Sequence, residues 1–337
     1  MQLIECIPNF SEGRDADVIS QIADSIRSVA RVKLLHVDSG YDANRTVMTF
    51  VGAPDAVVEA AFRGMSCACR LIDMRVQQGE HPRIGATDVC PLVPISDVSM
   101  AEVVGMSNAL AQRVGTELGV PVFMYERSAK SEARRRLEQI RKGEYEGLAA
   151  RMAQGSCNAD YGPKEFNYKT GCTVIGARDF LIAFNVNLST KSEEIAHKIA
   201  CRIRASGSRM FSEDKLLRLK GLKAIAWYMD AYACSQVSTN ITDVSALTLF
   251  DVYESVRTLA EEYGVSVNGS ELIGLLPRSV LLDCGKSYAA QEGTATMSSD
   301  ELISLAVDSL GLSAIEPFRA EDRIIEALVA DVVEGVV

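Results

Sequence analysis

Residues 180–188 read FLIAFNVNL, and their alternation decides the fold class. Phe180, Ile182, Phe184, Val186 and Leu188 fall on one face of an extended chain, and Asn185 and Asn187 fall on the other. Such a period of two predicts a strand with one face in a core. The next stretch, SEEIAHKIACRI (192–203), changes to helical period, with Ile195, Ile199 and Ile203 in one stripe. Upstream, the segment from Gln154 to Gly171 is rich in Gly, Pro, Asn and Asp and predicts a loop. A domain boundary is therefore expected near Arg178, giving units 1–178 and 179–325 and a C-terminal helix or tail over 326–337.

Working outward, strand-like and helix-like segments alternate along the chain. Strands are predicted at Leu3–Ile7, Val32–Val37, Thr46–Val51, Val93–Ile95, Val120–Met124, Thr173–Gly176 and Ser266–Val267. Apolar stripes at Val18, Ile22, Ile26 and Val29, at Val103, Met106, Leu110 and Val114, and at Leu249, Val252, Val256 and Leu259 predict helices. EDRIIEALVADVVEG (321–335) reads as a last helical segment. Several adjacent strands within β, α, β runs indicate an α/β (α+β) protein with mixed sheets rather than one doubly wound sheet. The first half shows about five strands, and the second repeats the plan at lower density.

Composition bounds the function. A chain of 337 residues with a formal net charge of −10 has no global basic face for nucleic acid. Local convergence of basic residues onto small anions stays possible. No run approaches the roughly 20 apolar residues of a membrane span. MQLIECIPNF has no basic n-region or long apolar h-region, so it does not read as a signal peptide. Nine scattered cysteines fit reduced thiols and a cytoplasmic location better than a disulfide framework. No GxGxxG or GxxxxGK[ST] motif points to a nucleotide, and no CxxC or HxxxH pair points to a metal.

Three histidines remain to be weighed. His197 lies off its helix's apolar stripe and reads as a surface residue, and His36, inside a strand, reads as structural. His81 sits in GEHPRIGATDVCP (79–91), a Gly/Pro-rich segment with neither period, also holding Glu80, Arg83 and Asp88. Loops of this kind often mount functional groups. The residue chemistry leaves two readings open, a catalytic base or a loop-stabilising hydrogen bond.

Eight segments then carry a resemblance: ECIPNFSEGRD (5–15), NRTVMTFVG (44–52), RLIDM (70–74), GEHPRIGATDVCP (79–91), ADYGPKEF (159–166), GARDFLIAFNVNL (176–188), QVSTNITDV (236–244) and NGSELIGLLP (268–277). In this order they resemble the glutamate formimidoyltransferases, including the N-terminal part of formimidoyltransferase-cyclodeaminases. The resemblance implies two lobes of ferredoxin-like character with sheets facing a central cleft, and a homodimer. It implies transfer of the formimino group of N-formimino-L-glutamate to N5 of tetrahydrofolate, the co-substrate, with no metal or nucleotide. His81 matches the family's catalytic histidine. Asp38 is the candidate acid behind it, with Glu80 the alternative. The family's folate-contacting stretch matches Gly162, Pro163, Lys164, Glu165, Phe166, Asn167, Tyr168, Lys169, Thr170 and Gly171. Arg45 and Arg83 are candidates for substrate carboxylates, and Asn9 and Asn185 for amide contacts. The cyclodeaminase part is not in this sequence, so a separate cyclodeaminase is expected downstream. Thr170, where many members have tryptophan, and Ala224 and Ala226, where many have glycine, leave N-formylglutamate as an alternative donor. A non-catalytic folate-binding protein and a metal-dependent hydrolase are the readings from other classes.

Overall fold

A computed structural model describes residues 2–294 and 296–329. It has the mixed α/β architecture expected, and its contacts divide the chain after Asp179 into two units.

The first unit opens with β1 (Leu3–Cys6), β2 (Asn9–Phe10), α1 (Ala16–Arg27), β3 (Val32–Gly40), β4 (Arg45–Gly52), α2 (Pro54–Leu71) and β5 (Thr87–Ser96). It continues through α3 (Met100–Arg113), β6 (Val122–Met124), α4 (Leu137–Ile140), α5 (Glu144–Ala153) and β7 (Thr173–Ala177). Its seven strands form one mixed sheet. β3 pairs β4, β4 pairs β1 and β1 pairs β5, all antiparallel, while β5–β7 and β6–β7 are parallel. Asp15 caps α1 by accepting from the amides of Asp17 and Val18, and Ser99 and Glu102 form a reciprocal capping box on α3. Ile22 and Ile26 of α1 and Ala60, Ala61 and Met65 of α2 bury against Met48 and Phe50 of the sheet. Each large apolar side chain fully buried there contributes about 1.5–3 kcal/mol. A second, smaller core forms from Phe123, Tyr125, Val89, Val174, Ile140, Leu148 and Met152. It holds the 137–153 segment in place.

The second unit runs β8 (Ile182–Leu188), α6 (Glu193–Ile203), β9 (Leu222–Met229), β10 (Cys234–Ile241), α7 (Leu249–Glu262), β11 (Val267–Ile273), α8 (Arg278–Glu292), α9 (Ser299–Ser309) and α10 (Ile325–Leu328). The strand order β11-β8-β10-β9, with every pairing antiparallel, is the βαββαβ ferredoxin-like plan. The same plan underlies β1, α1, β3, β4, α2 and β5 of the first unit, where β7 and β6 extend it. Phe184, Val186 and Leu188 bury against α6 and α7, as the alternation predicts.

Three differences from the sequence reading have physical causes. The 79–91 segment is irregular only as far as Ala86, and from Thr87 it is β5. Pro91 and Pro94 disguise that strand, since proline is usual only at strand edges. β9 and β10 escaped prediction because Ala224, Thr239 and Ser235 stand where apolar side chains would mark a core face. Of the helix predicted over 321–335, the described residues form only a short turn at Ala320–Asp322 and α10. Residues 330–335 of that prediction, and most of the predicted tail 326–337, lie outside the described residues.

Candidate functional site

The loop carrying His81 is stitched to the β3–β4 turn. Gln77 Nε2 donates to the Asn44 carbonyl at 3.0 Å, and Asn44 Nδ2 donates to the Gln78 carbonyl at 2.8 Å. The Glu80 amide donates to the Asp42 carbonyl at 3.1 Å. A Cβ on Gly79 would lie 2.3 Å from the Ala43 carbonyl oxygen, so only glycine lets the two backbones meet this closely. His81 is half-buried, and its Nδ1 lies 2.8 Å from the Pro82 carbonyl. A carbonyl only accepts, so this bond puts the proton on Nδ1 and the basic lone pair on Nε2. Burial, then the charges of Arg45 and Arg141, lower the His81 pKa well below the ordinary histidine value; Asp88 acts the other way. The imidazole is therefore neutral at neutral pH.

Beside the loop is a buried ion cluster. Asp88 is fully buried, and its carboxylate accepts from Arg45 Nη1 at 2.6 Å, from Arg141 Nε at 3.2 Å, and from Arg141 Nη2. The Ile84 amide adds a bond at 3.0 Å, which ties the cluster to the His81 loop. Arg45 Nε also donates to Asn9 Oδ1 at 3.0 Å, and Asn9 Nδ2 donates to the Ile7 carbonyl. Burial lowers the Arg45 pKa to about 10, with Asp88 opposing the shift and Arg141 reinforcing it. Two guanidiniums against one carboxylate leave the cluster with an excess positive charge.

The stretch from Gly162 to Gly171 meets the His81 loop through its backbone. Ala86 donates to the Thr170 carbonyl at 2.8 Å, Cys172 donates to the Ile84 carbonyl at 2.9 Å, and Gly85 bridges Gly171. A Cβ on Gly85 would lie 2.0 Å from the Cys172 oxygen. One on Gly171, whose φ is +67°, would lie 2.2 Å from the Ile84 oxygen. Asn167 Oδ1 accepts from the amides of Lys169 and Thr170, both at 3.1 Å, and its carbonyl accepts from Gly171 at 2.7 Å. Phe166 lies between Tyr145 and Tyr168, with both ring centroids at 5.2 Å. Tyr168 is 64% exposed and offers an aromatic edge to solvent. Gly162 has φ +78° and packs under Val120, while Pro163 is half-buried. The Lys164 and Lys169 ammoniums donate to the carbonyls of Ala159 and Arg70, and Glu165 is exposed.

The remaining candidates divide. Asp38 lies half-buried on β3 opposite Val47, whose other neighbour is Asn9. Directly paired residues share a face, which sets Asp38, Asn9 and Arg45 on one side of the sheet. Arg83, expected to grip a substrate, grips its own chain. Its Nε donates to Gln77 Oε1 at 2.8 Å, its Nη1 to Glu144 at 3.2 Å and to Glu146 at 2.9 Å, and its Nη2 to Glu146 at 2.7 Å. Asn185, in the second unit, donates to Glu271 at 3.2 Å within a network that also holds Gln236, Asn187 and Tyr232. Asn185 and Asn187 are both buried. His197 is exposed, as predicted.

Sequence reading gave no role to Arg141, and noted Asp88 only as a member of the His81 loop. Arg141 falls within RRRLEQIRKGE (134–144), which reads as a solvated charged run. No local signal separates it from its neighbours. Asp88 carried no stronger signal, since the strand that buries it is disguised by Pro91 and Pro94 and its arginine partners lie on other elements. Among the described residues no three His, Cys, Asp or Glu side chains are grouped to hold a metal ion, and no helix is long and apolar enough to cross a membrane.

Comparison with known proteins supplies the family. Residues 3–178 match the model of the formiminotransferase domain, N-terminal subdomain, and residues 183–330 match that of the formiminotransferase domain. A glutamate formimidoyltransferase of Streptococcus pyogenes is 41% identical over 86% of this chain and 94% of its own length. One from Thermoplasma acidophilum is 41% identical over 87% and 94%. A formimidoyltransferase-cyclodeaminase of Rattus norvegicus is 44% identical over 98% of this chain, which spans 60% of the length of that relative. With both halves matched in order, the chain belongs to the formiminotransferase family.

Proposed function

We propose that this protein transfers the formimino group of N-formimino-L-glutamate to N5 of tetrahydrofolate, releasing L-glutamate, with His81 as general base. The observation that carries the reading is the backbone junction at Gly85 and Gly171. It joins the loop of a neutral imidazole to the stretch matching the family's folate contacts, beside a cluster with excess positive charge. Both substrates are anionic, so a local positive charge on an acidic protein draws them in.

In the proposed reaction, N5 attacks the sp² formimino carbon and a C–N bond forms. The N5 proton passes to His81 Nε2. The imidazolium then returns this proton to the glutamate nitrogen as the old C–N bond breaks, so that one group serves as base and then acid. Asp38 is the proposed acid that stabilises the imidazolium by its charge, while the Pro82 carbonyl holds Nδ1. Phe166 and Tyr168 supply the aromatic face for the pterin or benzoyl ring, while Asn9 supplies an amide contact. A homodimer and a cytoplasmic setting belong to the same proposal, with a cyclodeaminase consuming the product.

The test is a product assay with and without tetrahydrofolate, run on formiminoglutamate and formylglutamate side by side. Tetrahydrofolate-dependent 5-formiminotetrahydrofolate is the expected product. His81→Ala should lower kcat about 10²–10⁴-fold, the usual value of a positioned base. An equal loss in His197→Ala would remove His81 from that role.

A further inference from the structure

The ion cluster beside His81 is incomplete as it stands. Arg45 uses Nε on Asn9 and Nη1 on Asp88, and Arg141 uses Nε and Nη2 on Asp88. Arg45 Nη2 and Arg141 Nη1 have no acceptor among the described residues, although Arg45 is only 7% exposed. Both guanidiniums meet the same Asp88 Oδ2, so they lie side by side, with one negative charge between two positive ones. Neither nitrogen is among the fully buried unpartnered atoms, so each keeps a path to solvent, and an anion can complete it with a charge-assisted bond. Arg83 presents the opposite case, since Gln77, Glu144 and Glu146 already hold its Nε, Nη1 and Nη2.

We propose that Arg45 Nη2 and Arg141 Nη1 form a carboxylate subsite that seats one carboxylate of the amino-acid donor next to His81. This rests on the formimino-transfer reading for the identity of the donor, and on the geometry alone for the ligand class. Two guanidiniums that share Asp88 Oδ2, each with one unused donor nitrogen, offer one donor for each oxygen of a carboxylate. Asp88 sets the spacing, since it holds both guanidiniums and leaves one donor nitrogen of each unused. Arg83 is then a structural residue that ties the N-terminal end of α5 to the His81 loop. Occupancy also bears on the base. Charged groups acting on His81 include Arg45 from β4, Arg141 from the turn after α4 and Asp88 from β5, and Asp38 of β3 shares the sheet face of Arg45. An anion on the two arginines offsets their charge, so donor binding makes His81 a stronger base.

The test uses the intact protein and follows the three histidine side chains by NMR during titration with glutarate and with its neutral diamide, glutaramide. Glutarate should shift the His81 signals saturably and move its titration to higher pH, while glutaramide should not. Arg141→Gln should weaken glutarate binding and raise the donor KM about tenfold, the loss of one charge-assisted contact, with the tetrahydrofolate KM little changed. Equal binding of the two ligands, or no binding of either, overturns the subsite without calling on any variant. So does an Arg141→Gln effect confined to tetrahydrofolate. If glutarate binds by charge while the wild-type protein makes no formimino product, the subsite stands and the reading of the reaction falls.

Discussion

Replacing Asp88 with Asn tests the logic of the whole site. The carboxylate is fully buried and accepts four bonds, one from the Ile84 amide and three from the two arginines. Asparagine keeps the shape but removes the charge, leaving two guanidiniums facing each other in a poorly solvated place. Removing one partner from a buried ion pair costs about 3–5 kcal/mol, chiefly because the remaining charge is stranded. For a unit of this size each kcal/mol shifts Tm by about 2–4 °C, so a drop of roughly 6–20 °C is expected. Urea unfolding should show a lower midpoint at an unchanged slope. Adding Arg141→Met to Asp88→Asn should recover at least about 1 kcal/mol, because only one stranded charge then remains. A loss below about 1 kcal/mol in Asp88→Asn, or strict additivity in the double variant, would refute the electrostatic account. Although burial raises the Asp88 pKa, Arg141 and Arg45 bring it below the ordinary carboxylate value. Its stabilising contribution is therefore complete above the unfolded value near 4 and is lost as pH falls through the lower folded value.

Three other outcomes follow from named groups. Glu5 on β1 is 2% exposed with Oε2 unpartnered, and burial raises its pKa from 4.5 to about 7. The folded state thus binds more protons between those values and loses stability as pH rises, by about 3 kcal/mol once above 7. Glu5→Gln should be more stable than wild type at pH 8 and equal to it at pH 4; equal stability at both would contradict the burial of an ionised carboxylate. Because His81 titrates well below the usual histidine value, the acid limb of kcat/KM should fall below about 6.5, and a limb at or above that value counts against His81 as the base. Gly85→Ala would push a Cβ to 2.0 Å from the Cys172 oxygen, so the two loops must separate. A stability loss of about 1–3 kcal/mol with a raised tetrahydrofolate KM is expected, and an unchanged KM would detach the 162–171 stretch from the folate site.

Much of this was legible in the chain before any tertiary contact was known. The alternation of Phe184, Val186 and Leu188 with Asn185 and Asn187, and the helical stripe through Ile22 and Ile26, are local patterns; each marks one element and its buried face. His81 stood out for a similar reason, since a histidine among Gly79, Pro82 and Gly85 sits in turn chemistry that a short stretch encodes by itself. The breaks in local logic were misread. Pro91 and Pro94 hide a strand whose neighbours supply the pairing, and Ser235 and Thr239 hide a core face whose apolar cover comes from helices elsewhere.

Sequence periodicity therefore determined the α/β class, because 2-residue and 3.6-residue repeats act over one element's length, and turn residues singled out His81 while leaving both a catalytic and a structural role open. Only the tertiary structure decided which arginines join the buried cluster beside His81. Arg45 and Arg141 reach Asp88 across 43 and 53 residues, while Arg83, two residues from His81, is neutralised by Glu144 and Glu146. A guanidinium's role depends on which carboxylate folding brings within about 4 Å, since Coulomb attraction reads distance in space and is indifferent to separation along the chain.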